Sequence, residues 1–106
     1  MDWRTEIDRA LQSAAVAVLL VSAQFLASDF IANNELPPLL AAAERGGTLV
    51  LPIIVAPSMF LQSPELSRYQ AVNDPSRPLI DMPKGKQEKV FNETALRIHS
   101  HLADRR

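Results

Sequence analysis

Ala14-Ala15-Val16-Ala17-Val18-Leu19-Leu20-Val21-Ser22-Ala23-Gln24-Phe25-Leu26-Ala27-Ser28-Asp29-Phe30-Ile31-Ala32-Asn33-Asn34-Glu35-Leu36-Pro37-Pro38-Leu39-Leu40 decides the fold of this chain. Its first eight residues are apolar and rich in valine, the composition of a strand buried on both faces, as in a parallel sheet. Polar residues begin at Ser22, where that strand ends. Two prolines come soon after Glu35. Within a helix they would each remove a hydrogen bond, but the first turn has no intrahelical partner for those N–H groups. A helix is therefore expected to start near Asn34 or Glu35 and to run to Arg45, burying Leu36, Leu39, Leu40 and Ala43. Gly46-Gly47 supplies a stop that tolerates positive φ. A strand leading into a helix places Glu35 at the carboxyl end of a parallel sheet, the end at which open α/β sheets bind ligands.

Working outward, Trp3, Ile7, Ala10, Leu11 and Ala14 share one face of an opening amphipathic helix with Asp2 as its N-cap. Between the first strand and Glu35, Phe25 and Leu26 fall in one turn, and Ser28 or Asp29 caps a further short helical piece. Thr48-Leu49-Val50-Leu51-Pro52-Ile53-Ile54-Val55 reads as a second buried strand, locally broken at Pro52, which donates no ladder bond. Ser63-Pro64-Glu65 is a helix start, expected to continue to Val72. Arg77-Pro78-Leu79-Ile80-Asp81 fits a short edge strand. From Lys86 onward Phe91, Ala95, Ile98 and Leu102 repeat at helical spacing, so the chain should end on an amphipathic helix that buries them. Helices alternating with strands imply parallel pairing with right-handed crossovers.

The composition narrows the function classes. One domain is the most that 106 residues build, and 47% hydrophobic with 22% charged content is that of a folded globule. A net charge of −1 and a pI near 6.1 give no general attraction to nucleic acid or anionic membrane. Cysteine is absent, which excludes disulfides, thiolate metal sites and a cysteine nucleophile and fits a cytoplasmic protein. The apolar runs fall well short of the ~20 residues that span a bilayer, and no signal peptide pattern opens the chain. His99 and His101 stand two apart on a helix and face different directions, so no metal site is expected. No Ser-His-Asp set, phosphate loop or dinucleotide fingerprint is present.

Several segments together resemble the Toll/interleukin-1 receptor (TIR) domain in the forms common in bacteria. Trp3-Arg4-Thr5-Glu6-Ile7-Asp8-Arg9-Ala10-Leu11 is similar to the family's second helix, and Val18-Leu19-Leu20-Val21-Ser22 to its third strand. The most specific match is Phe25-Leu26-Ala27-Ser28-Asp29-Phe30-Ile31 with Glu35-Leu36-Pro37. Leu51-Pro52-Ile53-Ile54 resembles the fourth strand with its proline. Leu66-Ser67-Arg68-Tyr69-Gln70-Ala71 and Arg77-Pro78-Leu79 are similar to the family's segments beyond that strand. The resemblance spans residues 1–106 as a partial domain, its C-terminal two-thirds, without strands one and two. It implies an α/β fold of flavodoxin-like, three-layer type with a parallel sheet.

The resemblance further implies a signalling module that associates with other TIR domains or with itself. It also implies cleavage of NAD+ at the nicotinamide bond, with NAD+ as substrate and no cofactor or metal. Glu35 takes the catalytic position; Ser22, Trp3 and Ser28 take substrate-binding ones. One carboxylate suffices because nicotinamide leaves from a cationic pyridinium and needs no acid, unlike an ordinary sugar leaving group. A helix N-terminus also favours the Glu35 anion. Taken alone, without the resemblance, Glu35 reads first as a favourable first-turn acid, Ser22 as a strand-ending or capping serine, Trp3 as a core residue, and Ser28 with Asp29 as helix caps. Without the opposite wall of the crevice the site is expected to be idle. The first strand should then expose an unpaired edge, and the helices over the missing sheet should expose apolar side chains. The remaining reading is an inactive fragment, or a larger NAD-cleaving TIR protein whose start has been wrongly assigned.

Overall fold

The computed structural model describes residues 3–28, 31 and 33–104, the side chains of Trp3 and Arg4 excepted. Its elements are α1 (Trp3–Ser13), β1 (Val16–Val21), α2 (Ala23–Leu26), α3 (Leu36–Arg45), β2 (Leu49–Ile54), a 3-10 turn (Phe60–Gln62), α4 (Pro64–Ser67), a second 3-10 turn (Leu79–Asp81) and α5 (Lys84–Asp104). Among the described residues β1 and β2 form a two-stranded parallel sheet, with Val16 opposite Leu49 and Val21 opposite Ile54. The chain is thus α/β, with α3 as the crossover between parallel strands.

One face of the sheet carries the core. Leu19, Val21, Val50 and Ile54 pack there with Leu36 and Leu40 of α3 and with Phe60, Leu66 and Tyr69; Ile7 and Leu11 of α1 close over them. Leu40, Ile54, Leu66 and Val21 are fully enclosed. Pro37 and Pro38 fall in the first turn of α3, as expected from the sequence, and Gly47 ends the α3 turn at φ 102°, a conformation that costs other residues a Cβ clash.

The opposite face is covered only in part. Leu51 and Ile53 of β2 are buried, and α5 packs against β2. Val18 and Leu20 of β1 lie on that same face at 42% and 60% exposure, so β1 is not buried on both sides as its composition suggested. The radius of gyration, 14.0 Å, exceeds the roughly 13 Å of a compact domain of this length.

Pro52 does not break β2. In a parallel ladder the N–H and C=O of one residue point the same way, and Leu49 N–H donates to Ala15 O while Val55 N–H donates to Val21 O. Odd-numbered residues of β2 therefore serve β1, and Val50, Pro52 and Ile54 turn their backbone outward, where proline gives up no ladder bond. The Pro52 carbonyl accepts from Val72 N–H at 2.9 Å.

Four other expectations are corrected. The helix starting after Ser63 stops at Ser67, and Ser63 Oγ–H donates to Met59 O instead of capping. Residues 77–81 form no strand: the Asn73 side chain already holds the outer edge of β2 at Ile54, and residues 79–81 coil into a 3-10 turn tied by Ile80 N–H to Val55 O. In α5 most of the expected apolar stripe points outward, with Phe91 and Leu102 at 52% and 44% exposure and Ala95 also exposed, while Ile98 is half-buried. Thr94 is buried instead, with Val90, Arg97 and His101 half-buried on its side of the helix. Ala10 of α1 is likewise exposed. Asp2 and Asp29 lie outside the described residues.

Candidate functional site

The connection from β1 to α3 forms the carboxyl edge of the sheet. At Ser22 the backbone is still extended, φ −146° and ψ 171°, and the hydroxyl oxygen accepts from Phe25 N–H at 3.1 Å, capping α2. Ser22 thus combines the capping role with a position at the end of the strand, half-buried. Two residues beyond α2, Ser28 N–H donates to Phe25 O at 3.2 Å and Ser28 O accepts from Ile31 N–H at 3.1 Å. Its backbone is committed to turns, and its side chain is half-buried.

Asn34 then adopts φ 57°, the left-handed conformation that asparagine tolerates better than most residues. This reversal delivers Glu35 to the N-cap position of α3 at φ −86° and ψ −41°, where its side chain makes no capping bond. The carboxylate is half-exposed at the helix end that carries partial positive charge. Because α3 returns antiparallel to the strands it connects, its start and the end of β1 belong to the same edge of the sheet. Ser22, Ser28 and Glu35 are therefore brought to that edge by local turns alone. The Trp3 side chain lies outside the described residues.

Along the rim of β1 the described residues offer no second wall. With odd-numbered residues of β1 serving β2, the N–H and C=O groups of Val16, Val18 and Leu20 face away from the sheet and have no backbone partner among the described residues. The edge presents the Glu35 carboxylate and the Ser22 hydroxyl from one side.

A larger concavity, about 800 Å³, lies at the other end of β2 between α5 and the turn after α4. It brings together Arg68, Arg97, His101 and Tyr69, none of which the sequence marked as site residues. Both arginines are paired, Arg68 with Glu44 and Arg97 with Glu93, and His101 Nε2 stands 2.9 Å from Gly47 O. Tyr69 is 5% exposed, and its hydroxyl has no partner among the described residues. Burial pushes its phenol above the ordinary tyrosine value, partly opposed by the Arg68 guanidinium 4.8 Å from the ring centre. The visible signal was Glu93, Arg97 and His101 at successive four-residue steps on one face of α5. Within the groove each of these two ion pairs is neutral overall, and Asp104 also lines it.

Among the described residues no helix is long and apolar enough to cross a membrane. Comparisons with protein-family models, with curated proteins and with solved structures returned no match for this chain.

Proposed function

We propose that the chain is a TIR-like signalling module of flavodoxin-like, three-layer topology that acts in the cytoplasm by associating with other TIR domains or with itself. In that topology β1 and β2 correspond to strands three and four. Glu35 is the residue that would carry NAD+ cleavage once a second wall is supplied against β1. The observation that carries this reading is the pairing of a Ser22-terminated strand with a half-exposed Glu35 at the start of the next helix, beside an edge of β1 that is unpaired.

The chemistry is set by the leaving group. Cleavage breaks the bond between C1′ of the ribose and the pyridinium nitrogen, and the electron pair neutralises the departing nicotinamide. Positive charge develops on the ribose, where the Glu35 carboxylate stabilises it or accepts from the ribose hydroxyls. Water then bonds to C1′ and releases a proton. Preorganisation of this kind requires the site to be closed from bulk solvent, so the chain alone is expected to turn over slowly or not at all.

The test is nicotinamide release from NAD+, measured by chromatography for the chain and for Glu35→Ala. Any release by the chain is expected to vanish in the variant; release that continues unchanged contradicts the mechanism. A second reading, an inactive piece of a larger NAD-cleaving protein, is favoured by the exposure of Val18 and Leu20. It predicts that an upstream in-frame segment supplying a neighbouring strand switches release on, still dependent on Glu35.

A further inference from the structure

We infer that the outer edge of β1 is a self-association surface, on which a second copy of this chain adds its own β1 antiparallel to form a continuous four-stranded sheet. This inference stands on strand geometry and does not depend on the NAD chemistry proposed above.

An unpaired strand edge is a template for another strand unless something blocks it, and the usual blocks are a charged side chain, a proline, a bulge or a covering loop. Val16–Val21 contains neither charge nor proline. It runs in register with β2 through all six of its residues, so it has no bulge. Its outward backbone groups, at Val16, Val18 and Leu20, have no partner among the described residues. The contrast with β2 is direct. There the outer edge is closed by Val72, by the Asn73 amide and by a proline that offers no donor.

The geometry selects a second copy as occupant. A two-fold axis normal to the sheet through Val18 sets Val18 against Val18, Val16 against Leu20 and Leu20 against Val16. Every outward N–H then meets an outward C=O, because both strands turn the same alternate residues to the rim. An uncharged edge meets an identical one without repulsion. The exposed Val18 and Leu20 side chains become cross-strand neighbours on one face. One six-residue strand covers well under the roughly 800 Å² per partner of a stable complex, so the association is weak and concentration-dependent. It also competes with any wall that would complete the Glu35 site, since both need the same edge. Pairing and NAD+ cleavage therefore exclude each other in the same chain.

Sedimentation equilibrium tests the pairing. The weight-average mass is expected to rise from 11.7 kDa toward twice that value as concentration increases, and a mass that stays monomeric up to about 1 mM overturns the inference. Leu20→Lys is expected to hold the chain monomeric with an unchanged circular dichroism spectrum, and Phe91→Lys to leave association intact. The reverse pattern would move the interface to α5 and overturn the edge. Should Leu20→Lys fail to fold, Val18→Cys decides. The chain has no cysteine of its own, and paired Val18 positions lie at about 5.5 Å between Cα atoms, within disulfide reach. Oxidation is expected to give a covalent dimer; an associating variant that forms none contradicts the register.

Discussion

Leu40→Ala is expected to leave the chain largely unfolded in mild denaturant. Leu40 is fully enclosed and is the point at which α3 meets the buried face formed by Leu19, Val21, Val50 and Ile54. Removing a buried leucine side chain costs about 2–5 kcal/mol, the upper end applying where the surroundings cannot collapse into the space. Here the walls are two strands and a helix begun by two prolines, which limits relaxation. A typical domain holds only about 5–15 kcal/mol in total, and a sheet with one face partly open falls toward the lower figure. With a urea slope of about 1–1.5 kcal/mol/M for a chain of this size, the midpoint should fall by about 2 M or more. A shift below about 0.5 M would mean that α3 does not pack as described.

Asn73→Ala should cost about 2–4 kcal/mol, for a different reason. Asn73 is 6% exposed. Its side-chain oxygen accepts from Ile54 N–H at 2.9 Å, and its amide nitrogen donates to Ile54 O at 2.9 Å and to Arg77 O at 3.0 Å. One side chain thus replaces a neighbouring strand at the end of β2. Alanine strands a buried donor and acceptor of Ile54 that water cannot easily reach. Asn73→Asp separates hydrogen bonding from simple size. The carboxylate can still accept from Ile54 N–H but faces the Ile54 and Arg77 carbonyls with no donor, so at neutral pH it should be no better than alanine. Urea midpoints for the three proteins check this; an aspartate variant as stable as the parent would show that the two donated bonds contribute nothing.

The parts of the fold that were legible are those fixed by local chemistry. Short apolar runs marked β1 and β2, the prolines after Leu36 set the start of α3, and Gly47 ended it where only positive φ completes the turn. The candidate edge was legible for the same reason: Ser22, Ser28 and Glu35 reach it through turns between neighbouring residues. What failed depended on partners distant in sequence. Periodicity found a stripe at Phe91, Ala95, Ile98 and Leu102, but which side of a helix is buried is settled by the sheet beneath it. With β1 uncovered, α5 seats on β2 through the side that holds Thr94. Residues 77–81 had the composition of an edge strand, yet the position beside β2 was taken by the Asn73 amide, a contact that no local pattern announces. Pro52 was misread because its effect depends on which way its backbone points, and this is fixed by pairing with β1. The groove at Arg68, Arg97 and His101 joins residues from separate elements and was visible only as a spacing on α5.

The central claim is that β1 pairs on one side only. Amide hydrogen exchange along this strand, measured by NMR at low protein concentration, tests it directly. Ala17, Leu19 and Val21 donate to β2 in the parallel ladder, whereas Val18 and Leu20 point their N–H groups to the open rim. One-sided pairing predicts slow exchange at Ala17, Leu19 and Val21 and fast exchange at Val18 and Leu20. Equal protection at all five positions in the monomer would contradict it.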